Sequence, residues 1–357
     1  MSKMLISELR ERTRQGFLDF AWRQWAQAGL SANVAGLDDW AIDPEALILF
    51  TIAVARHDPR LFDEMLDWLA ANRRLLNMQR LRNLSSRFPV DARLVSAVIA
   101  WAGEPPTTQW LKSQRATSQV PATVPVFSPD VLGFVGEPDP TFAEYGYIRP
   151  RATRSGKSRE PDVKIPANFA FQLRHLFGPG SRSEVMRVLL TLRDGLLNAA
   201  RISDECGFAK RNVNDTLTSL VTSRVVKARW SGNERHFIAY RDKWATLLEV
   251  GPSGGQIPLF VSWVHLFPAA LEILTWLDDA AEANDSEYLI SSQARSLIQH
   301  VTRDLQMAGI DVSPKRPAPG TAYLPVFAET VESVLAMMRS GQLVQVTDGV
   351  TSTVTAG

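Results

Sequence analysis

Apolar residues at helical spacing predict that the chain is mainly helical from its first residues to about residue 103. One such face, with apolar side chains every three to four positions, consists of Phe17, Phe20, Ala21, Trp25 and Leu30. Two further helices are predicted to begin at Asp43-Pro44 and Asp58-Pro59. Asp accepts hydrogen bonds from the free N–H groups of a helix start, and Pro at the first helical position has no N–H to leave unpaired. We predict a helical N-terminal domain over residues 1–103.

Prolines become frequent after residue 103 and exclude long helices up to residue 166. The second half of this stretch is rich in positive charge, carried by Arg149, Arg151, Arg154, Lys157, Arg159 and Lys164. We predict a proline-rich linker over residues 104–166. Its basic half is either a solvated connection or an arm that touches nucleic-acid phosphates. In the second case the contacts come from Arg151, Arg154, Lys157 and Arg159.

The clearest succession of elements lies in residues 167–245. Ser181 follows the break Gly178-Pro179-Gly180 and is predicted to cap a helix over residues 182–193. A short helix over residues 200–206, a turn at Gly207 and a third helix over residues 210–222 follow. The third helix has one apolar face, formed by Val213, Leu217 and Leu220. Ala209 stands at its capping position, where Ser or Thr would be better.

Two strands are predicted next, over residues 225–230 and 235–240, around a turn at Ser231-Gly232-Asn233-Glu234. The predicted helices and the hairpin together resemble the winged helix-turn-helix of the MarR and ArsR regulator families. The resemblance is carried by residues 202–213, 217, 220, 225 and 226. The resemblance covers about residues 181–240. It implies a mainly α fold with a helical N-terminal domain, a central winged helix-turn-helix with a β-hairpin wing, and a C-terminal helical region.

A recognition helix fits the major groove of duplex DNA, so the outward residues of the third helix are the candidate DNA contacts. Lys210 and Arg211 can contact phosphate or guanine, and Asn212 and Asn214 carry the donor–acceptor pair that recognises adenine. Thr218 lies on the same face. Asn233 and Arg235, at the tip of the predicted wing, can reach phosphate or the minor groove.

The charge distribution agrees with a local nucleic-acid surface. The chain has a net charge of only +1, so any basic surface must be confined to part of it. Residues 181–243 contain more basic than acidic side chains, which is the expected electrostatic footprint of a DNA-binding module. Beyond this module, helical apolar faces predict a C-terminal helical domain over residues 246–345 and a flexible tail over residues 346–357.

Catalytic chemistry is not indicated. The five histidines lack metal-ligand spacing, and the single cysteine, Cys206, faces the predicted helix-turn-helix core as a small apolar residue. We therefore expect no enzyme, cofactor or metal site. The N-terminal residues reach charge too soon for a secretory signal, and no apolar run is long enough for a membrane span. We expect a cytoplasmic protein that does not bind membranes.

Two functions of different classes remain open at this point. In the first, the protein is a transcriptional regulator that binds double-stranded DNA, and the helical flanks form a homodimer or sense a signal. In the second, it is a protein-interaction or antitoxin-like adaptor, which holds a protein partner through the helical N-terminal domain and the winged module. Exposure of Lys210, Arg211, Asn214 and Arg235 on one continuous positive face would favour DNA. Burial of that helix against the N-terminal domain would favour the adaptor.

Overall fold

A computed structural model describes residues 2–30, 40–103, 123–129, 131, 136–192, 197–250, 257–312 and 318–340. These residues are mainly helical with small sheets, as the sequence predicts. The predicted tail, residues 346–357, and part of the predicted linker, residues 104–122, lie outside the described residues. Among the described helices, none combines the length and the apolar character that a membrane crossing requires.

Helices and strands are numbered here in chain order. The helices are α1 (Ser2–Gln27), α2 (Pro44–Val54), α3 (Pro59–Asn72), α4 (Met78–Ser85), α5 (Ala92–Trp101), α6 (Pro140–Glu144), α7 (Phe169–Phe177), α8 (Ser181–Thr191), α9 (Ala199–Cys206), α10 (Lys210–Thr222), α11 (Arg241–Leu248), α12 (Trp263–Glu282), α13 (Glu287–Met307) and α14 (Tyr323–Ser340). The strands are β1 (Val124–Pro125), β2 (Tyr147–Ile148), β3 (Leu197–Asn198), β4 (Val226–Ser231) and β5 (Glu234–Ala239).

The chain divides into two compact units, and the division falls inside α1. One unit comprises Met1–Phe20 and Val261–Gly357, and the other comprises Ala21–Phe260. In the first unit, the ring of Phe20 lies 5.4 Å from that of Trp263 and 5.8 Å from that of Phe267, and α13 packs against both α12 and α14. The boundaries predicted at residues 103, 166 and 245 do not coincide with this division.

Local signals in the sequence locate the helix starts correctly. Asp43 Oδ1 accepts a hydrogen bond from the N–H of Ala46 at 3.2 Å, and Asp58 Oδ1 accepts one from Leu61 at 3.1 Å. Both helices have Pro at their first position. The capping role predicted for Ser181 is wrong. Ser181 is the first helical residue, and the capping position is occupied by Gly180, which has no side chain to make a cap bond. The hydroxyl of Ser181 bonds to that of Thr216 at 2.7 Å.

The described part of residues 167–245 contains four packed helices, α7–α10, and an antiparallel sheet that closes their core. Helix α8 packs against α7, α9 and α10, and α9 ends at Gly207 in the left-handed conformation, with φ of 66°. The sheet has the order β3-β5-β4, with Ala228 opposite Phe237 and Trp230 opposite Arg235. Phe237 of β5 belongs to one apolar core with residues of the helices. The helical residues include Val213, Leu217, Leu220 and Cys206.

A buried ion cluster joins this core to the N-terminal helices within the larger unit. The cluster contains three carboxylates and three guanidinium groups, all at most 2% exposed, from Asp43, Glu45, Glu184, Arg80, Arg174 and Arg187. Arg80 lies 2.6 Å from Asp43 and 2.7 Å from Glu45, and Arg174 lies 2.6 Å from both Glu45 and Glu184. Equal numbers of opposite charges make this burial tolerable.

The cluster reaches the end of α9, and its arginines control the ionisation of Glu184. Burial alone would raise the pKa of Glu184, but the surrounding guanidinium groups outweigh that effect and hold the pKa well below its usual range. Arg80 also donates from Nε to the carbonyl oxygen of Cys206 at 2.7 Å, and a Cβ on Gly207 would meet Leu84 at 2.6 Å. The N-terminal helices therefore hold the turn between α9 and α10 directly.

The predicted linker is held against the same helices in its basic half. Asp67 on α3 accepts hydrogen bonds from the backbone N–H groups of Ser155, Gly156 and Ser158 and from both serine hydroxyls. The N–H of Arg159 donates to the carbonyl oxygen of Gly29 at 3.1 Å. Residues 155–159 are therefore fixed in place and do not form a free connection.

Candidate nucleic-acid interface

The surface of α10 is divided between a buried apolar side and an exposed polar side. Val213, Leu217 and Leu220 are at most 4% exposed and pack in the core. The side chains on the outer face are exposed, namely Lys210, Arg211, Asn212, Asn214 and Thr218. The helix begins after Ala209 without a side-chain cap bond, as the sequence predicts. Every predicted contact residue on this helix is therefore accessible.

The β4–β5 hairpin presents the other two predicted residues. Asn233 is exposed in the turn, and Gly232 beside it has φ of 58°, a left-handed conformation that glycine adopts without strain. Arg235 is half-buried, and its guanidinium carbon lies 5.3 Å from the ring centre of Phe237. This cation–π contact orients the Arg235 side chain along the inner face of the hairpin.

A cleft between α10 and the hairpin brings several of these side chains together. It has a volume of about 240 Å³ and is lined by Asn198, Ala199, Ala200, Lys210, Asn214, Thr218, Glu234, Arg235 and Phe237. Three predicted residues of α10 therefore share one concave surface with the predicted arginine of β5. Arg211, Asn212 and Asn233 are exposed but are not among the residues that line it.

Two polar residues of the cleft were not predicted from the sequence. Glu234 brings a negative charge into it, and Asn198 donates from Nδ2 to its Oε2 at 3.1 Å. Asn198 also caps α9 by accepting from the N–H of Arg201 at 2.9 Å. An Asn directly before a helix is a recognisable capping signal, whereas its proximity to Glu234 depends on the pairing of β3 with β5.

Further cations lie on the hairpin and on α11. Lys227 and Lys243 lie 4.8 Å and 5.1 Å from the ring centre of Tyr240, and Arg229 is exposed on β4. Lys227 and Arg229 are two positions apart on one strand, so they share a face of the sheet. The alternation of residues in β4 could have predicted this pair. Together with the cleft, they make the surroundings of the hairpin predominantly basic.

The basic segment of residues 149–164 has two kinds of arginine. Arg149 is buried, pairs with Asp63 and lies over the rings of Phe62, Phe127 and Phe142. The predicted phosphate contacts are all exposed, namely Arg151, Arg154, Lys157 and Arg159. None of them lines the cleft beside α10. The count of positive charges in this segment therefore overstates its accessible charge, because Arg149 is held inside an aromatic cage.

The single cysteine, Cys206, is a free thiol in the buried apolar core of this region. Burial raises the pKa of the Cys206 thiol well above its usual range, so the nucleophilic thiolate is disfavoured at neutral pH. In the described ranges, no group of three or more His, Cys, Asp or Glu side chains is placed to hold a metal ion. The exposed side chains of α10 and the hairpin provide amides, a hydroxyl and cations, together with the carboxylates of Asp215 and Glu234.

Comparison with known proteins adds no relative to this description. No protein-family model, no curated protein and no solved structure matches the chain. The candidate interface must therefore be interpreted from its own geometry and charge.

Proposed function

We propose that residues 181–240 form a winged helix-turn-helix and that the protein is a transcriptional regulator that binds double-stranded DNA through α10 and the β4–β5 hairpin. The observation that carries this proposal is the cleft in which Lys210, Asn214 and Thr218 of α10 meet Arg235 of β5. The order α8, β3, α9, α10, β4, β5 supports it, as does the turn at Gly207 between the two central helices.

In the proposed complex, α10 lies in the major groove. Lys210 and Arg211, at its N-terminal end, bind phosphate or the acceptor edge of guanine, and Asn212 and Asn214 bind adenine. Thr218 lies one turn further along the helix from Asn214 and contacts a base edge or the sugar-phosphate backbone. Arg235 and Asn233 bind the backbone or the adjoining minor groove, and so fix the position of the helix on the duplex.

The packing of the N-terminal helices favours this function over the adaptor. An adaptor of the kind considered above would have α10 covered by the N-terminal domain. Instead, Arg80 of α4 contacts the carbonyl end of α9, and Asp43 and Glu45 contact arginines of α7 and α8. The outer face of α10 is left exposed. The helical flanks are then free for dimerisation or signal sensing in a cytoplasmic regulator.

Equilibrium binding of the full chain to random-sequence duplex DNA, followed as salt is raised, tests the proposal. Lys210, Arg211, Arg235 and one further cation give about four phosphate contacts, and each contributes about −0.9 to the slope of log K against log salt. Affinity is then expected to fall about a hundredfold between about 50 and 200 mM salt. Absence of binding at the lower salt concentration would contradict the proposal.

A further inference from the structure

Trp230 is an exposed indole at the outer end of β4. It is 72% exposed, whereas the other described tryptophans are buried or half-buried. Burying such a side chain releases free energy in proportion to the apolar area removed from water. A single exposed apolar residue is common on protein surfaces, so the significance of Trp230 depends on its position.

The strand register places Trp230 beside the cleft. Cross-strand partners in an antiparallel pair share a face of the sheet, and Trp230 is opposite Arg235 while Ala228 is opposite Phe237. Arg235 and Phe237 both line the cleft with α10. Trp230 therefore lies on the face of the hairpin that borders the cleft, one strand away from Arg235 and beyond the last buried residues of that face.

The charge around Trp230 indicates an anionic occupant. Arg235 is its cross-strand partner, and Arg235 and Lys210 line the bordering cleft against one carboxylate, Glu234. An apolar protein surface would have to desolvate these two cations, whereas nucleic acid provides a phosphate for each of them and a base for the indole. Aromatic side chains next to cations are the arrangement on which nucleic-acid bases stack.

We propose that Trp230 stacks on a base of the bound DNA beside the segment held by α10, and that the protein therefore prefers DNA in which that base is unpaired or easily unstacked. This inference rests on the proposed function. In a regular duplex the bases are already stacked on one another, so the indole can insert only at the cost of unstacking a step. An unpaired base has already lost most of that stacking and offers a free π-face.

The test compares two probes, a short duplex and the same duplex with one additional unpaired thymine in its centre. Wild type is expected to bind the bulged duplex about tenfold more tightly, which is the usual scale for one stacked base. Trp230→Ala is expected to bind both probes equally, at the affinity that wild type shows for the regular duplex. Trp230→Phe keeps a ring and is expected to retain most of the preference.

Tyr288→Ala is the matched control, because Tyr288 is also a largely exposed aromatic residue but belongs to the other unit. It should keep the wild-type preference. If Trp230→Ala retained the preference for the bulged probe, or if wild type showed none, the stacking role would be overturned while duplex binding stood. If wild type bound neither probe at low salt, the proposed function itself would fail.

Discussion

Arg80→Met is expected to destabilise the unit formed by Ala21–Phe260 by about 3–5 kcal/mol, the usual cost of removing one partner from a buried ion pair. Arg80 is fully buried and is bonded to Asp43, to Glu45 and to the carbonyl oxygen of Cys206. Without it, three buried carboxylates would face two guanidinium groups. The free energy of unfolding, measured by urea denaturation with circular dichroism, checks this expectation.

Arg74→Met provides the control for this substitution. Arg74 also bonds to a carboxylate, Glu160, at 2.5 Å, but its side chain is 69% exposed. Exposed pairs contribute about 0–1 kcal/mol, so the control should unfold close to wild type. If the two variants lost similar free energies of unfolding, the ion cluster would not hold the N-terminal helices to α7, α8 and α9 as described above.

Lys210→Ala/Arg211→Ala is expected to lower the affinity for duplex DNA about a hundredfold, because two charge-assisted contacts of about 1.4 kcal/mol each are lost. Both side chains are exposed at the start of α10, so the free energy of unfolding should change by less than about 0.5 kcal/mol. Fluorescence anisotropy with a labelled duplex at low salt measures the affinity, and thermal unfolding checks that the fold is kept.

Lys3→Ala/Arg12→Ala removes the same charge from the exposed face of α1 in the other unit. This control separates a specific contact from a general effect of net charge. It should bind DNA within about threefold of wild type, because the proposed complex contains no phosphate contact from these two side chains and the salt-dependent affinity comes from the phosphates that are contacted. Equal losses in the two double variants would show that the affinity depends on net charge and not on α10.

Local sequence signals predicted the elements around the candidate interface well. The bounds of α10 agree with the expected 210–222, and the two strands of the hairpin are each within one residue of prediction. Both depend on short-range information, namely the spacing of Val213, Leu217 and Leu220 and the turn at Gly232. The exposure of the outer face of α10 follows from the same spacing, because a helix that buries one side presents the other.

Features that depend on distant pairs could not be predicted. Arg80 meets Asp43 and Glu45 across more than thirty residues and Glu184 across more than a hundred, and no local pattern marks such partners. The sequence places Arg149 in a basic segment that is either solvated or bound to phosphates, yet Arg149 is buried among phenylalanines. Trp230 has the strand pattern of a core residue, and only the register shows that its position lies beyond the core.

Hydrogen–deuterium exchange of the full chain with and without saturating duplex DNA tests the central claim most directly, because it locates the bound surface on the unmodified protein. Exchange of backbone amides slows where a ligand covers or stabilises the local structure. We predict slower exchange in peptides from residues 210–222 and 226–239. Protection confined to the basic segment of residues 149–164, with α10 and the hairpin unchanged, would contradict the account.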